Sequence, residues 1–189
     1  MPDTTVISCK CAPYPYDALS GTGVAYKLAS AIIGPRADNY LDLVAIATIA
    51  DSMPLTGENR ALVKLGVDLI KEGNALPAVN ELIMLAGVRE INATSLAFSV
   101  APRINAAGRM GDAYSALCLF LSEDREEREE LLQKLIVYNT QRQSECDELY
   151  KSAKLKIASS GVPSGAIVLA DENWKAGILG IVAARLTEE

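Results

Sequence analysis

Residues 123–159 read EDREEREELLQKLIVYNTQRQSECDELYKSAKLKIAS, a run with no glycine or proline. Apolar side chains return at Leu131, Leu135, Tyr138, Cys146, Leu149, Ala153 and Ile157, with charged residues on both flanks. That periodicity predicts one long amphipathic helix. At about 1.5 Å of rise per residue it makes a rod longer than a small domain is wide. The acids of residues 123–130 suit a solvated helix N-terminus, where they offset the positive end of the peptide dipoles. A rod of this kind connects bodies, so the expected plan is a helical domain over 1–121, a connecting helix over 122–160 and a second domain beginning at 161.

Upstream, the punctuation is helical. Asp112 caps a helix predicted over Ala113–Leu121, and Asn92-Ala93-Thr94-Ser95 reads as a helix start leading to Leu96, Phe98 and Val100. Ala101-Pro102-Arg103-Ile104-Asn105-Ala106-Ala107-Gly108-Arg109-Met110-Gly111 is expected to be a loop, on its proline and glycines. Pro77 suits the first position of a helix through Leu85 that Gly87 ends. Further helices are predicted over Gly57–Lys71, over Leu41–Ala50 and over Val24–Ile33, the last stopped by Gly34-Pro35. Leu41–Ala50 is apolar on nearly every side and should be buried, and Pro54 closes the turn that follows it. Thr4–Ile7 is expected to be a short strand. Downstream, residues 159–163 break the rod, Ala166–Leu169 reads as a buried strand and Gly177–Leu186 as a buried helix. A single βα unit lacks the neighbours a sheet needs. The chain is therefore expected to be a mainly α-helical piece, with one βα unit, of something longer at both ends.

The 189 residues contain no histidine, which excludes an imidazole general base, a His triad or an imidazole zinc site within this chain. Cys9, Cys11, Cys118 and Cys146 lack the paired spacing of a zinc site and are read as reduced thiols of a cytoplasmic protein, with a disulfide pair as the lesser alternative. Neither a signal peptide nor a membrane-spanning run is evident. The net charge of −6 argues against wholesale wrapping of nucleic acid, so any anion site is local and built from a few placed arginines.

Two groups could carry chemistry. Asp51 ends a wholly apolar helix; it either binds something or accepts hydrogen bonds from its own turn. Arg103, Asn105, Gly108 and Arg109 put two guanidinium groups and an amide beside small residues, which suits an oxyanion such as phosphate. The competing reading has the arginines tying a loop to carbonyls. Gly21-Thr22-Gly23 fails the dinucleotide and P-loop patterns and reads as close packing. Trp174-Lys175-Ala176-Gly177 sits where strand meets helix, a common place for ligands in α/β folds, although a packed Trp is the stronger reading.

Taken together, Leu19–Leu28, Tyr40–Leu55, Gly57-Glu58-Asn59-Arg60, Ala101–Arg109 and Trp174–Leu186 resemble the RecJ-type single-stranded-DNA exonucleases of the DHH phosphoesterase family. The order and spacing match over about residues 14–186. The resemblance implies an α/β parent that hydrolyses single-stranded DNA 5′→3′ to mononucleotides with Mn²⁺ or Mg²⁺, in DNA repair and recombination. It makes Asp51 a metal ligand, the last aspartate of the DHH domain. It makes Arg103, Asn105 and Arg109, with Gly108 among them, the motif contacting DNA phosphate. Residues 122–160 become the linker to the DHH-associated domain. Single-stranded DNA is the implied partner, with a single-strand-binding protein, helicase or replisome component as others, in the cytoplasm and off the membrane. The chain also departs from the pattern. It has no Asp-His-His motif and no upstream aspartate motifs, and Lys175 stands where His usually follows the Trp. Alone it is expected to be inactive. The alternatives are a catalytically inactive DNA- or replisome-binding relative, an oligonucleotide phosphodiesterase of the same superfamily, and a plain helical scaffold.

Overall fold

The computed structural model describes residues 5–10, 14–159 and 165–188. The chain divides into two compact units, 1–102 and 103–189. Cys11 and Thr4 lie outside the described residues, as does most of the break expected over 159–163.

In the first unit α1 (Gly21–Ile33) starts at Ser20, whose Oγ accepts from the Gly23 N–H at 3.0 Å. The same hydroxyl lies 2.9 Å from Thr48 Oγ1 in the buried seam with α2 (Leu41–Ala50). A 3-10 segment, Gly34–Tyr40, joins the two helices. Helix α2 has the expected bounds and is the centre of the unit, packed against α1 and against α3 (Gly57–Lys71). Val44, Ala45 and Ile46 are buried on it, and Leu19, Leu41, Val44 and Leu62 form one apolar cluster. A Cβ on Gly66 of α3 would lie 2.1 Å from the Leu41 carbonyl oxygen, so glycine there lets the two backbones touch.

Asp42 was not anticipated. It is fully buried in the first turn of α2, and its carboxylate accepts from the N–H groups of Leu43 and Leu76, each at 2.7 Å. Burial pushes its pKa up, while those two donors pull the other way. Leu76 precedes α4 (Pro77–Leu85), so this carboxylate fastens α4 to α2. Residues 5–7 are not a strand, and Val6 and Ile7 are exposed.

The expected loop over 101–111 is a helix. Asn92 caps α5 (Ala93–Ser95) by accepting from the Ser95 N–H at 2.8 Å, and Ser95 Oγ accepts from the Asn92 N–H at 3.0 Å. A π-helical turn, Leu96–Val100, follows and leads into α6 (Ala101–Arg109). Proline lacks an N–H, and its ring clashes with the carbonyl four residues back. The widened turn, in which the Ala101 N–H reaches Leu96 O, opens the helix just ahead of Pro102. Ala101, Ala106 and Ala107 then favour helix and are buried. Gly111, at φ 89, ends it, with Asp112 N–H on Ala107 O at 2.8 Å.

In the second unit α7 (Ala113–Leu121) is capped by Asp112 as expected. Helix α8 (Arg125–Ser159) is the predicted rod, 35 residues long. It buries Leu132, Leu135, Asn139, Cys146, Leu149, Tyr150 and Ala153, with α7 and α9 (Ala176–Thr187) against it. Ile178 and Val182 of α9 meet Cys146, Leu149 and Tyr150. The run 166–169 is not a strand; Val168 is 90% exposed, and no strand occurs among the described residues. A strand exists only by pairing, and among the described residues this apolar run has no strand to pair with. Cys9, Cys118 and Cys146 are free thiols. Among the described residues no helix is long and apolar enough to cross a membrane.

Candidate functional site

Asp51 follows the last residue of α2 and is exposed, so it pays no burial cost. Its side chain accepts no hydrogen bond from a described residue, and the turn is closed by backbone instead. Asp51 N–H donates to Ala47 O at 2.9 Å and Met53 N–H to Thr48 O at 3.2 Å. Ser52 sits between them at φ 53, the left-handed region that usually takes glycine. The turn after α2 is thus closed by the chain's own backbone.

The rest of that turn is held by a residue that the sequence marks only as part of the Gly57-Glu58-Asn59-Arg60 segment. Asn59, fully buried at the start of α3, donates from Nδ2 to Ala18 O at 2.7 Å and to Pro54 O at 3.0 Å. Its Oδ1 is buried without a partner among the described residues. Tyr16 OH adds a bond to Pro54 O at 3.3 Å, and its ring lies over Gly57, where a Cβ would come within 2.7 Å. Beside it Glu58 accepts from Tyr14 OH at 2.7 Å and Lys27 Nζ at 2.6 Å. Burial works against the ionised Glu58, but these donors leave its pKa below the ordinary value.

The remaining predicted residues, Arg103, Asn105, Gly108 and Arg109, belong to the second unit. Asn105 and Arg109 are four apart on α6, and both are exposed, as is Gly108. Residues three and four apart share a helix face. Arg103 is two residues from Asn105 and six from Arg109, so it faces elsewhere, and it is only partly exposed. The arginine pair expected from the sequence is therefore split, and the shared face is Asn105, Gly108 and Arg109.

Arg109 has a structural duty as well. Its Nη1 donates to the Gly177 carbonyl at 2.6 Å, where α9 begins. Asp112 supplies the other fixed point. Its Oδ2 accepts from Ser115 Oγ at 2.6 Å, Lys134 Nζ at 2.7 Å and Tyr138 OH at 2.8 Å. Lys134, then Ser115 and Tyr138, hold its pKa well below the usual carboxylate range. Lys175 is paired with Glu145, and Trp174 lies under Lys156 at 5.5 Å. Lys175 and Trp174 line an open cleft of about 360 Å³ with Glu148, Asp171 and Asn173.

No protein-family model matches the chain. Among curated proteins it is similar to the single-stranded-DNA-specific exonuclease RecJ of Bacillus subtilis, 41% identical over 93% of this chain and 22% of that protein. RecJ of Thermus thermophilus is 39% identical over 89% of this chain and 25% of that protein. RecJ of Escherichia coli is 30% identical over 93% and 34%. The chain thus spans about a quarter to a third of the length of these relatives. A crystal structure of RecJ bound to manganese superposes with a TM-score of 0.80 at 37% identity, over 94% of this chain and 46% of that one. Thermus thermophilus RecJ with Mg²⁺ gives 0.80 at 38%, over 90% and 27%. In sequence and fold, over nearly all of its own length, the chain is similar to one portion of the RecJ exonucleases.

Proposed function

We propose that the chain is part of a RecJ-type, metal-dependent 5′→3′ single-stranded-DNA exonuclease acting in DNA repair and recombination. Residues 1–121 are the end of its DHH domain, 122–160 its linker helix and 161–189 the start of its DHH-associated domain. The observation that carries the reading is 41% identity, over 93% of this chain, to a protein named as a single-stranded-DNA-specific exonuclease, RecJ.

In this reading Asn105 and Arg109 present an amide and a guanidinium to DNA phosphate from the exposed face of α6, with Gly108 admitting the backbone of the strand. Arg103 supports the same motif from its own side of the helix. A guanidinium carries five N–H donors. The bond to Gly177 leaves Arg109 others for a phosphate oxygen, while fixing the plane of the group. Asp51 contributes one carboxylate to the metal centre of the parent. When bound there, Mn²⁺ or Mg²⁺ supplies an activated water and stabilises the leaving oxygen. Among the described residues no three His, Cys, Asp or Glu side chains gather to hold an ion, so these residues do not by themselves make the centre. In this reading the chain alone is inactive, because it has no histidine for an Asp-His-His motif. Single-stranded DNA is its partner in the cytoplasm, with a single-strand-binding protein, helicase or replisome component alongside.

The test is Mn²⁺-dependent release of nucleotides from 5′-labelled single-stranded DNA. This chain is compared with a longer one carrying the upstream aspartate and Asp-His-His motifs. Release by the longer chain only is the expected result. DNA binding with no release by either would replace the nuclease with an inactive binding module. Release only from very short oligonucleotides would favour the oligonucleotide phosphodiesterase.

A further inference from the structure

We propose that Tyr138 and Lys134 of α8, acting through the Asp112 carboxylate, are positioning residues for the Asn105–Arg109 face of α6. The proposal rests on the reading of that face as a phosphate contact.

Capping α7 asks little of Asp112. One bond, from the Ser115 N–H to Oδ1 at 3.2 Å, already performs it. The other oxygen, Oδ2, gathers three more donors, and two of them come from α8. Lys134 and Tyr138 are four residues apart and so share one face of that helix. Lys134 Nζ also bonds Ser115 Oγ at 2.8 Å, which closes the set on itself. Donors to an ionised carboxylate make the stronger class of hydrogen bond. The carboxylate is thereby held to α8 as well as to its own helix.

The residue so held also ends α6. The Asp112 backbone N–H donates to Ala107 O at 2.8 Å, across the Gly111 turn and over Gly108 and Arg109. A shift of Asp112 against α8 therefore moves the last turn of α6, where Arg109 sits. From the other direction Arg109 is pinned to Gly177, and a Cβ on Gly177 would lie 2.9 Å from the Arg109 carbonyl oxygen. The end of α6 is thus held from α8 and from α9. Lys134 has a second consequence: it offsets a carboxylate three residues from Arg109 that would otherwise repel an anion.

The test is a double-mutant cycle on the 189-residue chain. Binding of a 5′-phosphorylated, fluorescently labelled oligothymidylate is read by anisotropy without divalent ions, and a melting temperature is taken for each variant. Tyr138→Phe removes one donor without changing charge. It is expected to weaken binding about fivefold in the unaltered background and not at all beside Arg109→Ala. Lys134→Gln should follow the same pattern with a larger loss. Equal losses in both backgrounds, or no loss from Tyr138→Phe, overturn the positioning role. If Arg109→Ala itself leaves binding unchanged, or the unaltered chain binds no DNA, it is the phosphate reading that fails.

Discussion

Arg109 and Gly177 hold each other at two points. The guanidinium of Arg109 donates to the Gly177 carbonyl at 2.6 Å, and the bare Cα of Gly177 faces the Arg109 backbone. The start of α9 and the end of α6 are therefore in contact through main chain, and glycine is the residue that permits it.

Gly177→Ala should consequently destabilise the chain. The added methyl would lie 2.9 Å from a backbone oxygen that cannot rotate away. A loss of about 1–3 kcal/mol is expected, the range for overpacking a fitted contact. Chemical denaturation checks it, and Gly180→Ala, where a Cβ meets nothing within 4 Å, is the control.

Gly108→Ala separates two reasons for a glycine. Inside α6 the substitution should stabilise by about 0.5–1 kcal/mol, because glycine is a poor helix former. Among the described residues the new methyl would meet Ala113 Cβ at 3.8 Å, an ordinary contact. If the glycine admits a DNA phosphate, affinity for single-stranded DNA falls while the melting temperature rises. A rise in both would remove Gly108 from the phosphate face.

Ser52→Gly should relieve the left-handed backbone beside Asp51. Such a conformation costs a side-chain-bearing residue about 1–2 kcal/mol. Part of that is returned as extra freedom of the unfolded chain, so a net gain of about 0.5 kcal/mol is expected by denaturant titration. Unchanged or reduced stability would mean that Ser52 is not strained.

The pH dependence of stability should identify Asp112. Its folded pKa lies below the unfolded value, so its contribution is complete above the ordinary carboxylate range and is lost as pH falls through and below it. The gap in melting temperature between the unaltered chain and Asp112→Asn should be widest near neutral pH and close on acidification. A gap independent of pH would assign the effect to shape and not to charge.

Much of the fold was legible because it was local. Leu41–Ala50 is apolar all round and stopped by Pro54, and the rod over 125–159 follows from periodicity without a breaker. Asp112 before Ala113 is a cap in any fold. Residues 101–109 were misread because Pro102 and Gly108 are breakers on their own; a π turn just upstream takes up the proline. The helix then turned Arg103 away from Asn105 and Arg109, so the site changed when the local geometry did.

The residues that escaped notice act at a distance. Nothing near Asn59 in sequence shows that it will meet Ala18, and nothing near Asp42 shows that it will meet Leu76. A polar side chain can be buried only where far-off backbone supplies partners, and chain folding decides which those are. Residues 166–169 are the converse case, an apolar run with strand chemistry and no pairing edge. The amino-acid sequence by itself determined most of the helices, many of their ends and the RecJ resemblance, since propensity, periodicity and motifs are properties of neighbours along the chain. Tertiary structure alone decided which polar groups share a face, which are buried and which glycines stand at a contact. Those depend on positions in space that residues distant in sequence reach only on folding.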